Sequence, residues 1–138
     1  MSELRSGQSE WFAISQAQVD QFADVTCDHQ YLHVDPERAS KTPLGGTIVH
    51  GFFYLSLLPH LMLDELFEKL GEMTVLNYGV NRLRFLSPVP VGSEVRLNWK
   101  VVSEESKGDG RLLTVDVVMD IKGCDKPALV AEWLLYIV

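Results

Sequence analysis

Asp28 and His33 stand five residues apart in a polar tract, Thr26 to Val34, that also carries His29 and Gln30. A carboxylate and an imidazole within reach of one water can divide general-base and general-acid work between them. Taken alone the spacing is weakly specific, because loop capping or surface polarity accounts for such a pair more often. A second feature lies downstream, where His50-Gly51 opens an apolar segment that reads as a helix. The first amides of a helix lack intrahelical partners, and a glycine there lets a ligand approach the backbone closely. The Gly51 amide is therefore a candidate to stabilise a developing oxyanion. His50 itself reads equally well as a structural imidazole bonded to the neighbouring loop. His29 and His60 read as solvent-facing, and Asp35 as a helix cap. His29 and His33 are four residues apart, yet they fall in a loop with no third ligand at a diagnostic spacing, so no metal is expected.

These residues need elements to position them. Ser15 with Gln18 three residues on is a capping-box pattern, and Val19, Phe22 and Ala23 follow at helical spacing, which predicts a short amphipathic helix to Val25. Asp35-Pro36-Glu37 reads as an N-cap, a first-turn proline and an early acid, opening a second helix to about Lys41. Thr26 to Val34 between them reads as a loop. Gly51 to Leu70 is apolar nearly all round at first, as a fully buried helix is, then amphipathic with Asp64, Glu65 and Glu68 on its polar side. Pro59 should kink or split it, and Gly71 should cap it. Phe52, Phe53 and Tyr54 read as core packing.

Four long strands follow, at about Val75 to Phe85, Glu94 to Glu104, Arg111 to Lys122 and Ala128 to Val138. Helices first and consecutive antiparallel strands after them describe an α+β domain, with the sheet wrapped around the one all-apolar helix. The strands Glu94 to Val101 and Leu129 to Val138 carry no internal proline, so part of this sheet is expected to pair with a second copy of the chain.

Composition narrows the function. The 138 residues, 46% hydrophobic and 22% charged, read as one domain over 1–138. A net charge of -7 without a basic stripe argues against a nucleic-acid partner. A polyanionic small ligand needs only local cations, which Arg82, Arg84, Arg96 and Lys100 can supply. Met1 to Arg5 leads into polar sequence without an apolar export region, and the longest apolar stretch, Phe52 to Leu58, is too short to span a bilayer. Cys27 and Cys124 lack metal-ligand spacing and read as structural thiols in a reducing cytosol, so a cytoplasmic location is expected.

The tract Phe22 to Ala39, containing Thr26-Cys27-Asp28-His29-Gln30-Tyr31-Leu32-His33, followed by Gly46-Thr47-Ile48-Val49-His50-Gly51, resembles the hydratase signature of MaoC-like dehydratases. Asn77 to Phe85, with Ser87-Pro88-Val89, is similar to the nodulation-protein-N-like branch of that family, and the resemblance spans roughly residues 15 to 100. It implies a hotdog fold, a homodimer with an acyl-CoA channel near its interface, and reversible hydration of a trans-2-enoyl-CoA to an (R)-3-hydroxyacyl-CoA without a cofactor. It also implies Asp28 and His33 as the catalytic pair, Gly51 as the oxyanion donor, and Ser56 as a serine that orients an active-site group. The chain departs from the family pattern at Gln30, where many members have asparagine, and at Tyr31, often proline. Glutamine keeps the amide on a longer stem and can still hold the water or the thioester. A hotdog thioesterase and a non-catalytic CoA-thioester-binding subunit are the alternative readings, since the same fold carries both.

Overall fold

The computed structural model describes residues 6–71 and 73–138; Met1 to Arg5, with the export reading that rests on them, lie outside the described residues. Among the described residues there are six strands, β1 (Ser6–Gln8), β2 (Phe12–Ala13), β3 (Val75–Phe85), β4 (Glu94–Lys107), β5 (Gly110–Ile121) and β6 (Leu129–Ile137). The helices are α1 (Gln16–Thr26), α2 (Tyr31–Val34), α3 (Pro36–Ser40), α4 (Gly51–Ser56) and α5 (Leu58–Leu70).

The strands form one antiparallel sheet in the order β1-β4-β5-β6-β3, with β2 also paired to β4. Alternation along β4 turns Val95, Leu97 and Trp99 inward, and β6 does the same with Leu129, Ala131, Trp133 and Leu135. These side chains close over Tyr54, Leu58, Leu61 and Met62 of α4 and α5 in a common core. Each fully buried aliphatic or aromatic side chain there contributes about 1.5–3 kcal/mol relative to exposure. The expected sheet around a central helix is the observed α+β arrangement.

One expectation holds here and two change. The long helix is split near Pro59, as expected: α4 ends at Ser56, and Leu57 leads into α5, which has Pro59 in its first turn. Pro59 has no N–H to offer the preceding turn, so the ladder breaks just before it. The first turns are also not buried all round, because Phe52 is 67% exposed while Tyr54 is 2%. Finally, β4 and β6 are interior strands with neighbours on both sides, so neither of the segments expected to carry the open edge does so. The last strand of the sheet is β3, and Leu76, Tyr78, Val80 and Phe85 along it are 40–52% exposed.

The capping box at the start of α1 is complete. The Gln18 amide donates to Ser15 Oγ at 3.2 Å, and the Ser15 amide donates to Gln18 Oε1 at 2.9 Å. Ser15→Ala should cost about 1 kcal/mol by removing one of these bonds. Thermal unfolding checks this, and an unchanged midpoint would mean that tertiary packing alone holds α1.

Candidate active site

The end of α1 determines where Asp28 goes. Cys27 caps the helix in the left-handed conformation, φ 62°, and donates its amide to Ala23 O. The Asp28 amide bonds the same carbonyl at 3.1 Å, so Asp28 leaves the helix at once. Its carboxylate is exposed, and its Oδ1 accepts the Gln30 amide at 3.4 Å. Gln30 then caps α2, a single turn that the sequence reading left as loop, and its carbonyl accepts the His33 amide at 3.0 Å.

His33 is buried, and its ring nitrogen Nδ1 lies 2.7 Å from Ile48 O. A carbonyl only accepts, so Nδ1 carries a proton, and the neutral tautomer this selects has its lone pair at Nε2. That is the form able to hold water or take its proton. Ile48 is itself fixed by its amide bond to Leu32 O at 2.9 Å and by a bridge to Pro90.

His50 is 3% exposed and stacks on His33, with ring centroids 3.8 Å apart and planes inclined by 23°. Its Nε2 lies 3.1 Å from Asp28 O, and its Nδ1 is buried without a hydrogen-bond partner among the described residues. Burial holds the His50 imidazole below the ordinary histidine value; the Asp28 carbonyl and carboxylate pull it upward, while His33 and His29 push it down. The ring is thus kept neutral in the fold. Stability linked to His50 is present above the ordinary value of 6.5 and is lost as pH falls through the lower folded value. Between pH 7.5 and 5 the wild-type urea midpoint should therefore fall further than that of His50→Phe, and parallel midpoints would contradict this.

One carboxylate oxygen of Asp28 and one nitrogen from each of His33 and His50 lie within 4.8 Å of one another, a grouping found nowhere else among the described residues. Sequence spacing did not pair His50 with the other two. Two imidazoles stacked in nearly parallel planes aim their lone pairs side by side rather than at a common point about 2.1 Å from both nitrogens, so the set suits proton handling better than metal ligation.

Gly51 follows His50 directly and opens α4. With six residues, α4 has a small macrodipole, so the Gly51 amide itself, without a partner among the described residues, is what the site offers an anion. A Cβ here would lie 3.1 Å from the Phe85 ring, closer than ordinary contact, so a side chain would crowd the approach to that amide.

The other expected contributors are placed differently. Ser56 donates its hydroxyl to Phe52 O at 2.7 Å and opens on a separate cleft of about 290 Å³ between α4, β3 and Trp133. The Gln30 side-chain amide is exposed and makes no hydrogen bond among the described residues, while its backbone bonds Asp28 Oδ1 and the His33 amide. Arg96 and Lys100 alternate with the inward residues of β4 and lie on the far face of the sheet, Arg96 over the Trp11 ring. Arg82 pairs with Glu132, and Arg84 donates to Leu83 O at 2.8 Å. Cys27 and Cys124 are exposed rather than buried, because one caps the end of α1 and the other lies in the turn between β5 and β6.

Two positions went unnoticed in the sequence. Gln16 Nε2 donates to His33 O at 2.7 Å while its Oε1 accepts the Thr47 hydroxyl at 2.7 Å. One amide thereby ties α1 to both segments that carry the histidines, over separations no local pattern reveals.

Known proteins are similar to the chain in sequence and fold. Over 127 residues the chain is 48% identical to 3-hydroxyacyl-thioester dehydratase Z of Mycobacterium tuberculosis (strain ATCC 25618 / H37Rv), covering 91% of this chain and 83% of the relative. It is 44% identical over 134 residues to Nodulation protein N of Rhizobium leguminosarum bv. viciae, covering 95% and 83%. Among solved structures, the (R)-hydratase from A. caviae involved in PHA biosynthesis superposes with a TM-score of 0.78 at 27% identity, over 95% of this chain and 92% of that one. The fold is therefore the hotdog fold. No helix among the described residues is long and apolar enough to cross a membrane. The MaoC like domain matches residues 4–121, and the chain belongs to the MaoC-like dehydratase family.

Proposed function

We propose that this chain is an (R)-specific enoyl-CoA hydratase, catalysing the reversible syn hydration of a trans-2-enoyl-CoA to an (R)-3-hydroxyacyl-CoA. The observation that carries this reading is the convergence of the Asp28 carboxylate with the two imidazoles, next to the Gly51 amide in sequence. The thioester oxygen accepts a hydrogen bond from Gly51 N–H, which lowers the energy of the enolate. Asp28 takes a proton from water as its oxygen bonds C3, and the C2–C3 π electrons move toward the thioester. His33 holds that water through Nε2, takes over the proton that Asp28 removed and passes it to C2, which completes the addition and returns both groups to their starting state. Dehydration is the same path reversed. No cofactor is required, because the thioester already supplies the electron sink.

Support also comes from the names of the relatives, a 3-hydroxyacyl-thioester dehydratase and an (R)-hydratase. We further infer a homodimer formed along β3, and a cytosolic location in which exposed Cys27 and Cys124 stay reduced. A thiol-trapping assay with crotonyl-CoA separates the hydratase from the hydrolase. Hydration gives 3-hydroxybutyryl-CoA and no free thiol. Thiol release would replace the proposal with thioester hydrolysis, and tight ligand binding with neither product would replace it with a non-catalytic subunit.

A further inference from the structure

We propose that His50 is a positioning residue for the reaction, a single imidazole that fixes both members of the acid/base pair at once. The proposal rests on the hydratase reading. His50 contacts three parts of the site: its ring face lies on His33 at 3.8 Å, its Nε2 meets Asp28 O at 3.1 Å, and its own carbonyl accepts the Phe53 amide at 2.9 Å in the first turn of α4. Asp28 and His33 sit on different elements, at the end of α1 and on α2, and His50 joins them to the segment bearing Gly51.

The choice of an imidazole at this position carries information. A buried nitrogen without a partner is a cost, and His50 Nδ1 is such a nitrogen. A phenyl ring would stack on His33 without that cost. What an imidazole adds is the N–H directed at Asp28 O, and this bond dictates the tautomer that leaves Nδ1 unsatisfied. The site therefore retains a donor on the Asp28 backbone at the expense of an orphaned acceptor. Phe22 covers the ring from another side at 4.8 Å, so His50 has little freedom to turn away. The charged and titratable groups around it are Asp28, His33 and His29. Held neutral among them, His50 leaves proton transfer to Asp28 and His33.

Three variants separate the two contacts. His50→Gln keeps a donor for Asp28 O without the ring, His50→Phe keeps the ring without the donor, and His50→Ala keeps neither. With crotonyl-CoA, kcat should fall about tenfold for the first two and about a hundredfold for the third, while KM stays within about twofold. Far-UV circular dichroism checks that each is folded, and the Gln and Phe variants carry the test if the Ala variant is not. Nitrogen NMR of histidine-labelled protein reads the His33 tautomer: protonated at Nδ1 in wild type, mixed in His50→Ala or, failing that, in His50→Gln, which also removes the stacked ring. Unchanged kcat and unchanged His33 signals would overturn the proposal. So would parallel losses of kcat and stability with the His33 tautomer intact, since these describe packing alone. If wild-type protein hydrates no enoyl-CoA, the functional reading fails, whereas the NMR comparison still decides whether His50 holds His33.

Discussion

Asp28→Asn is expected to lower turnover of a 2-enoyl-CoA by about a hundredfold or more, and His33→Gln by a similar factor. Asparagine keeps the shape and polarity of Asp28 and loses the base. Its exposed position means that neither desolvation nor a broken buried ion pair should unfold the protein. Glutamine at 33 can still donate toward Ile48 O, where the native Nδ1 sits 2.7 Å away, but it cannot present a basic nitrogen to water. Because both groups act on one water, the double variant should be little worse than the poorer single one. Steady-state kinetics on the three proteins check this, with unfolding midpoints measured alongside. Near-normal hydration by both single variants would remove Asp28 and His33 from the chemistry.

Phe52→Glu combined with Val80→Glu is expected to turn a dimer into a monomer and to remove most of the activity. The inner face of the sheet continues past its last strand: Val80 is 40% exposed, Phe85 43% and Phe52 67%. These apolar groups border a β3 edge with no strand neighbour among the described residues on its outer side. A second copy pairing along that edge satisfies the backbone and covers the side chains. Anchors of this kind are worth about 2 kcal/mol or more each, so the double change should weaken the dimer roughly a thousandfold. Light scattering at micromolar concentration should give twice the 15.6 kDa chain mass for wild type and that mass for the variant. A fully active wild-type monomer would rule out the dimer as the obligatory catalytic unit.

Local chemistry made much of this architecture legible. The Ser15 and Gln18 capping box, the Asp35-Pro36 start of α3 and the break near Pro59 are each decided by residues within four positions, and each is seen. The strands β4 to β6 follow from alternation over eight or nine residues. β1 carries no such signal, because Ser6-Gly7-Gln8 is too short and polar. Its glycine is explained by Trp99 alone, whose ring would lie 2.1 Å from a Cβ at Gly7. The site divides the same way. Asp28, His33 and Gly51 were visible through their motif, whereas Gln16, Thr47 and the role of His50 depend on contacts spanning 17 to 31 residues. The exposure of Phe52 was hidden for a related reason: the sequence shows an apolar residue but not which side of the helix the sheet leaves uncovered.

The central claim is that these residues add water to a 2-enoyl thioester, and the loss of enoyl absorbance tests it most directly. Purified protein incubated with crotonyl-CoA, and separately with octenoyl-CoA, should remove that absorbance in proportion to enzyme concentration with at least one of them. The product should be the (R)-3-hydroxyacyl-CoA. No loss of enoyl absorbance with either substrate, from protein shown to be folded, would contradict the account.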